Sequence, residues 1–222
     1  GAEQAPVIAS LADGGFVVAW QSQNQDGSNF GVFAQRYDAI GQRVGGEFQV
    51  NTFVQGVQIA PTLAALADGG YVIVWQSQNQ DGNNFGVYAQ RFDAAGSAVG
   101  GEVQVNTFTQ GSQQAPTVSA LAGGGYVVFW ESQNQDGSSF GVYGQRFDSG
   151  GNAVGSEFQI NATTVNLQGA PAAIVLADGS LAVTWHSVGQ DGNAEGVFGR
   201  IFDATAPVAH TLSGGAGNDS FM

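Results

Sequence analysis

The sequence predicts an all-β protein, a four-bladed β-propeller built from four repeats of 55 residues with four strands each. Each repeat contains four apolar segments separated by Gly, Asp and Asn, and no segment keeps a helical period over a helical length. The spacing of 55 is plainest in two residue types, Trp20, Trp75, Trp130 and Trp185, and Pro6, Pro61, Pro116 and Pro171. The predicted domain covers residues 1–211, in units of about 1–55, 56–110, 111–165 and 166–211.

The four segments of the first repeat differ in composition. The first, Ala5–Leu11, is rich in small residues, as an inner strand crowded around a propeller axis would be. The second, Gly15–Ser22, is apolar on both faces, which is typical of a strand between two sheets. The third, Gly31–Asp38, is mixed and the fourth, Glu47–Asn51, alternates strictly. Burial is therefore expected to decrease from the first two strands to the fourth.

Closure of the ring depends on the last repeat, which has no copy of the "GGEFQVNT" segment. Either Pro207–Leu212 supplies the missing strand, or one sheet has three strands. A linear stack of sheets is the alternative architecture, although it would need capping segments that neither end of the sequence shows.

Composition excludes several classes of function. The chain has five Lys and Arg residues, all of them Arg, against 18 acidic residues and a formal net charge of −13, so nucleic acid and anionic membranes are poor partners. The absence of Cys excludes disulfides, thiolate metal sites and cysteine nucleophiles. No apolar run approaches the roughly 20 residues of a membrane span, so membrane insertion is not expected.

One stretch, "QNQDGSNFGVFAQRYDA" (Gln23–Ala39), recurs in every repeat with variations. Its Asp26-Gly27 pair predicts a type I′ hairpin turn. The neighbouring amide and aromatic side chains are of the kinds that hold sugars by hydrogen bonds and stacking, although they could equally pack strand ends. The candidate ligand-binding residues are Asn24, Asp26, Phe30, Asn79, Asp81, Phe85, Asn134, Asp136 and Phe140.

Catalytic chemistry has little support in the sequence. His186 and His210 are the only histidines and neither recurs, so no Ser/His/Asp set or histidine metal cluster can be assembled. Most acidic residues occupy repeated positions, and Arg36 is expected to pair with Glu47 across a hairpin, as Arg91 with Glu102 and Arg146 with Glu157. Paired carboxylates that cleave a glycosidic bond remain an alternative, which would depend on an unrepeated acid.

The last residues, "GGAGNDSF" (Gly214–Phe221), resemble one turn of the calcium-binding nonapeptide of RTX proteins. The 55-residue repeats are similar to those of large secreted bacterial proteins of the same hemolysin-type calcium-binding class. The resemblance implies an extracellular location, type I secretion, and a calcium ligand at Asp219 within a segment, 212–222, that begins a nonapeptide array. Each hairpin alone offers one Asp, so calcium there would be bound weakly or shared.

These observations together predict a non-catalytic binding or adhesion module of a larger secreted protein. The favoured ligand is a glycan or cell-surface polymer, and the other domains of the parent protein are further partners. A structural spacer without a ligand is one alternative. A polysaccharide-degrading enzyme is the other.

Overall fold

A computed structural model of the chain describes residues 1–192 and 194–203, together with the backbone of 209–212. The described residues form sixteen β-strands in four antiparallel sheets of four strands, which confirms the all-β prediction. Sheet 1 contains β1 (Glu3–Ser10), β2 (Phe16–Gln23), β3 (Phe30–Tyr37) and β4 (Arg43–Gln49). Sheet 2 contains β5 (Gln58–Ala65), β6 (Tyr71–Gln78), β7 (Phe85–Phe92) and β8 (Ala98–Gln104). Sheet 3 contains β9 (Gln113–Ala120), β10 (Tyr126–Gln133), β11 (Phe140–Phe147) and β12 (Ala153–Gln159).

Sheet 4 contains β13 (Gln168–Val175), β14 (Leu181–Val188), β15 (Glu195–Phe202) and β16 (Ala209–Leu212). The last of these pairs with β15, so the segment proposed to supply the missing strand does so. Strands follow one another in sequence order across every sheet, and the first strands β1, β5, β9 and β13 lie successively side by side.

Burial is greatest in the second and third strands of each sheet, which corrects the expected order. Five consecutive residues of β7, Gly86–Gln90, are buried, whereas most of β5 is only half-buried. The reason is position within the sheet, since the second and third strands have a strand on each side and the first strand is an edge.

The sheets pack face to face through two different surfaces. Each sheet has a tryptophan face, which in sheet 2 consists of Tyr71, Ile73, Trp75, Tyr88 and Phe92, and this face packs on the valine face of sheet 1. That valine face consists of Val17, Ala19, Val32, Ala34 and Val50.

The same contact recurs twice along the chain. The tryptophan face of sheet 3, with Trp130, packs on the valine face of sheet 2, with Val72, Val74 and Val87. The tryptophan face of sheet 4, with Trp185, packs on the valine face of sheet 3. The buried Trp75, Trp130 and Trp185 confirm that these residues serve as core between sheets.

Two faces are left at the ends of the series. No hydrophobic cluster of the described residues joins the tryptophan face of sheet 1 to the valine face of sheet 4. Closure into a four-bladed ring, as the sequence predicts, is therefore not observed in the described part of the chain.

The predicted pairing of Arg36 with Glu47 is wrong. A bulge between Ala34 and Arg36 shifts the register of β3 against β4, so that Arg36 lies opposite Val44. Arg36 instead forms an ion pair with Asp13, and Arg91 does so with Asp68. The same bulge places Arg146 opposite Val154. Sequence symmetry about the turn could not predict the two extra residues of β4, which include Gly45 with a φ of 74°.

Candidate functional site

The repeated stretch forms a hairpin loop wider than the predicted type I′ turn. Asn24, with a φ of 61°, donates its N–H to the carbonyl of Asn29 at 2.6 Å, and Gly27 has a φ of 86°. Asp26 does not adopt positive φ. Its Oδ1 accepts the N–H of Ser28 at 2.9 Å, which forms an Asx turn. The turn is therefore set by Asn and Gly with the Asp side chain bracing it.

The nine candidate ligand-binding residues lie in three separate hairpins, one in each of sheets 1, 2 and 3. In sheet 1, Phe30 begins β3, is half-buried, and forms a bridge with Val57 of the loop that leads into sheet 2. Asp136 accepts long hydrogen bonds of 3.4 Å at Oδ2 from Gln159 and Asn161. Asp81 accepts the N–H of Asn83 at 3.0 Å. These contacts brace the loops and do not bring the three sets into one site.

A buried asparagine fixes the loop that leaves each of β4, β8 and β12. Asn106 accepts the N–H of Val87 at 2.7 Å and donates to the carbonyl of Phe108 at 2.9 Å and to Gln113 at 3.2 Å. Gln113 is fully buried. The amides of this loop region therefore serve the fold itself, which the sequence interpretation did not foresee.

A second set of amides links successive sheets close to their first strands. The Oε1 of Gln21 accepts the N–H of Ala60 at 2.9 Å, and Gln76 accepts that of Ala115 at 2.9 Å. Ala60 has a φ of 52° and lies at a bulge in β5, so this bond holds a strained backbone. Each sheet is thereby fastened to the first strand of the next.

In sheet 3 the same position carries a carboxylate, Glu131. Its Oε1 accepts the N–H of Ala170 at 2.6 Å, and its Oε2 accepts a hydrogen bond from Gln114 at 3.0 Å. The repeat thus changes from a neutral amide to an acid without losing the inter-sheet bond. Two donors fix the orientation of this carboxylate.

His186 in sheet 4 lies beside Glu131. The two side chains approach each other at Gly169, where a Cβ would lie 2.6 Å from Oε1 of Glu131 and 3.2 Å from Cε1 of His186. A side chain at this position would displace the Glu131 carboxylate from its observed place, and the repeat has Gln4, Ile59 and Gln114 there. An acid, a histidine and a glycine therefore replace repeated residues at one point.

Glu3 is a further unrepeated acid at the same end of the sheets. It occupies the position of the buried Gln58 and Gln113 but is exposed, and it pairs in register with Ser22. The sequence interpretation set His186 aside because it does not recur, and it did not single out Glu3 or Glu131. Their shared departure from a repeated amide was the available signal.

A cleft of about 440 Å³ opens on the tryptophan face of sheet 1. It is lined by two carboxylates, two aromatic rings and one guanidinium, contributed by Glu3, Glu47, Trp20, Tyr37 and Arg43. The corresponding face of every later sheet is filled by the preceding sheet. The cleft is therefore the space that a neighbouring sheet would occupy.

The described part of the chain holds no group of three or more His, Cys, Asp or Glu residues that could hold a metal ion. Asp219 and the nonapeptide segment lie outside the described residues, so the calcium expectation stays a prediction. Among the described residues no helix could cross a membrane.

Comparison with solved structures identifies the fold. No protein-family model and no curated protein matches the sequence. A thermostable family-43 glycoside hydrolase matches with a TM-score of 0.59 and 12% identity, over 99% of this chain and 77% of that one. An endo-arabinase from Bacteroides thetaiotaomicron matches with a TM-score of 0.53 and 17% identity, over 88% of this chain and 73% of that one. An endo-1,4-beta-xylanase from the same organism has a TM-score of 0.54 and 13% identity, with 96% and 76% covered. The chain has the fold of these glycoside hydrolases.

This likeness corrects the predicted function. The sequence favoured a non-catalytic binding or adhesion module, whereas the three solved structures above are hydrolases and not RTX calcium-binding adhesion proteins. The interpretation as a non-enzyme was wrong because it assigned the repeated acids to turns and placed ligand binding in the repeated hairpins. It gave too little attention to the few positions where the repetition fails.

Proposed function

We propose that the chain is a polysaccharide-degrading enzyme of the glycoside hydrolase type, with Glu131 in its active site. The observation that carries this proposal is the replacement of a repeated amide by the fixed carboxylate of Glu131, beside His186, in a fold shared with glycoside hydrolases. An active site occurs once in a chain, and Glu131 and His186 each occur once, at a position that elsewhere carries a repeated amide.

Hydrolysis of a glycosidic bond uses two carboxyl groups, one to protonate the leaving oxygen and one to activate water or attack the sugar. Glu131 supplies one of them. Two other unrepeated acids lie at this end of the sheets, Glu3 and Glu195. Glu3 lies on a first strand and is the candidate for the second carboxyl group. The surrounding amides Gln4, Gln21 and Gln114 offer donors and acceptors suited to sugar hydroxyls.

The proposed architecture around this site is a propeller whose blades are the four sheets. The successive contacts of β1, β5, β9 and β13 support an axis along the first strands. The mouth of the site would lie at the end where Glu3 is on β1 and Glu131, on β10, pairs in register with Gln114 of β9. Inner strands of small residues are typical of such an axis.

The substrate class is a polysaccharide, because the solved structures with this fold include an endo-arabinase and an endo-xylanase. An extracellular, secreted location within a larger protein, with calcium at the segment containing Asp219, accords with the resemblance of residues 212–222 to an RTX nonapeptide. A secreted enzyme would meet polymeric substrates there.

The test is release of reducing sugars from arabinan and from xylan by the chain and by Glu131→Gln. Gln occupies this position in sheets 1 and 2 and accepts the same inter-sheet bond, so the variant keeps the fold and loses only the carboxylate. We expect Glu131→Gln to lower the rate at least about a hundredfold. The matched control is Glu157→Gln in the same sheet, whose acid accepts the N–H of Thr107 at 2.7 Å and should leave the rate unchanged.

Equal rates for Glu131→Gln and the parent would remove Glu131 from the active site. Absence of release from both polymers, by folded protein with calcium present, would contradict the proposed substrates.

A further inference from the structure

The two end faces of the sheet series are the two halves of an interface that the chain already makes three times. Sheets 1 and 2, 2 and 3, and 3 and 4 each join a valine face to the next tryptophan face. What remains is the tryptophan face of sheet 1 and the valine face of sheet 4. Because both end faces belong to the same repeat, they are the same two kinds of surface that pack together in the three observed contacts.

The tryptophan face of sheet 1 exposes groups that are buried elsewhere. Trp20 is half-buried, whereas Trp75 and Trp130 are fully buried. Ile8 is 66% exposed, and Val118 at the same repeat position is 8% exposed. The face thus carries an apolar surface shaped for a partner sheet.

The valine face of sheet 4 shows the same contrast. Val197 is 45% exposed, although Val32, Val87 and Val142 at its repeat position are fully buried. Ile174 on the same face is 61% exposed. Two of the largest exposed apolar side chains of the described residues therefore lie on a surface that is core in every other sheet.

The polar part of the interface has matching ends as well. In three contacts a side-chain oxygen at the second strand accepts the N–H of an alanine in the next first strand. The end of the series presents His186 at the accepting position, and the start presents Ala5, which shares the positive φ of its counterparts at 49°. A neutral imidazole nitrogen can accept that N–H.

We propose that a second copy of the chain docks head to tail, its valine face of sheet 4 on the tryptophan face of sheet 1. The contact is heterologous, so further copies add in the same way to give an open series or a closed ring. This assembly is argued from the repeated interface and not from the proposed hydrolase activity, although its polar contact uses His186 and its docked face includes Glu3.

Sedimentation velocity of the full chain over a hundredfold concentration range tests the assembly. We expect the parent to form species larger than a monomer as concentration rises. Ile8→Arg blocks one face and Val197→Arg the other, and each alone should remain monomeric at concentrations where the parent associates. Ile40→Arg is the matched control, since Ile40 is 78% exposed in the turn between β3 and β4 and should associate like the parent.

A mixture of the two arginine variants provides the sharpest outcome. Each retains one intact face, so an equimolar mixture should form dimers and nothing larger. Circular dichroism checks that both variants keep their strand content, and their exposed positions make this the expected result. A parent chain that is monomeric at every concentration, or a mixture that stays monomeric while the parent associates, would overturn the proposal.

Discussion

Substitution of Gly144 by Ala tests how the chain fits side chains across neighbouring strands. Gly144 lies opposite Phe129 in the register of β10 and β11. A Cβ at Gly144 would lie 2.8 Å from Cδ1 of Phe129 and 3.1 Å from Cζ of Phe158, closer than carbon atoms approach one another in packed proteins. Sheets 1 and 2 combine a smaller residue with the methyl group, Ala19 with Ala34 and Val74 with Ala89, and sheet 4 places Thr184 opposite Gly199.

The size of the effect follows from this crowding. Gly144→Ala forces a fully buried ring to move by several tenths of an ångström, an overpacking that typically costs about 1 to 3 kcal/mol. Phe129→Val alone leaves a cavity and costs about 2 to 4 kcal/mol. The double variant recreates the Val–Ala pair of sheet 2, so its cost should be smaller than the sum by about 1 to 2 kcal/mol.

Urea denaturation of the parent, both single variants and the double variant, followed by circular dichroism and tryptophan fluorescence, gives the coupling free energy. Additive costs, within about 0.5 kcal/mol, would refute the reasoning that the two positions compensate in volume. The control is Ala89→Gly, which introduces into sheet 2 the glycine that sheet 3 has at Gly144. It should be destabilising there, because the residue opposite is Val74 and not a phenylalanine.

Two further predictions concern buried polar groups. Asn106→Ala removes the acceptor of the Val87 N–H and two donated hydrogen bonds, and should lower the free energy of unfolding by about 2 to 4 kcal/mol. The control is Asn83→Ala at an exposed position, which should change the free energy of unfolding little. Urea denaturation of both variants measures the difference. Burial raises the pKa of Tyr71 from 10.0 to about 12, so the unfolded chain ionises first and stability falls as pH rises from 10 through 12. Tyr71→Phe should reduce that alkaline loss of stability by about 1 to 2 kcal/mol. It should change stability little at pH 7, because the hydroxyl has no hydrogen-bond partner among the described residues. An unchanged dependence of stability on alkaline pH would contradict this.

The architecture of the sheets could be predicted because it rests on periodicity. The spacing of Trp20, Trp75 and Trp130 sets the length of the unit, and the alternation of apolar segments with Gly and Asp sets its four strands. Even the irregular β16 could be located, since its apolar residues stand where a fourth strand is due.

Details that depend on the register of one hairpin could not be predicted. A bulge in β4 places Val44, and not Glu47, opposite Arg36, and Arg36 pairs with Asp13. The proposed site around Glu131 could not be predicted for a different reason. Glu131 and His186 belong to different sheets and are 55 residues apart in sequence, so their proximity appears only when the sheets are packed.

The strict order of the packing faces has a consequence for how such a chain can change in length. Every junction joins the same two kinds of surface, so a whole unit can be gained or lost without creating a junction of a new kind. Unequal recombination between repeats would then yield chains that still fold, with a different number of sheets. Residues without copies in the other units, Glu131 and His186 among them, are not interchangeable in this way. Loss or rearrangement of their units would remove them or separate them from each other.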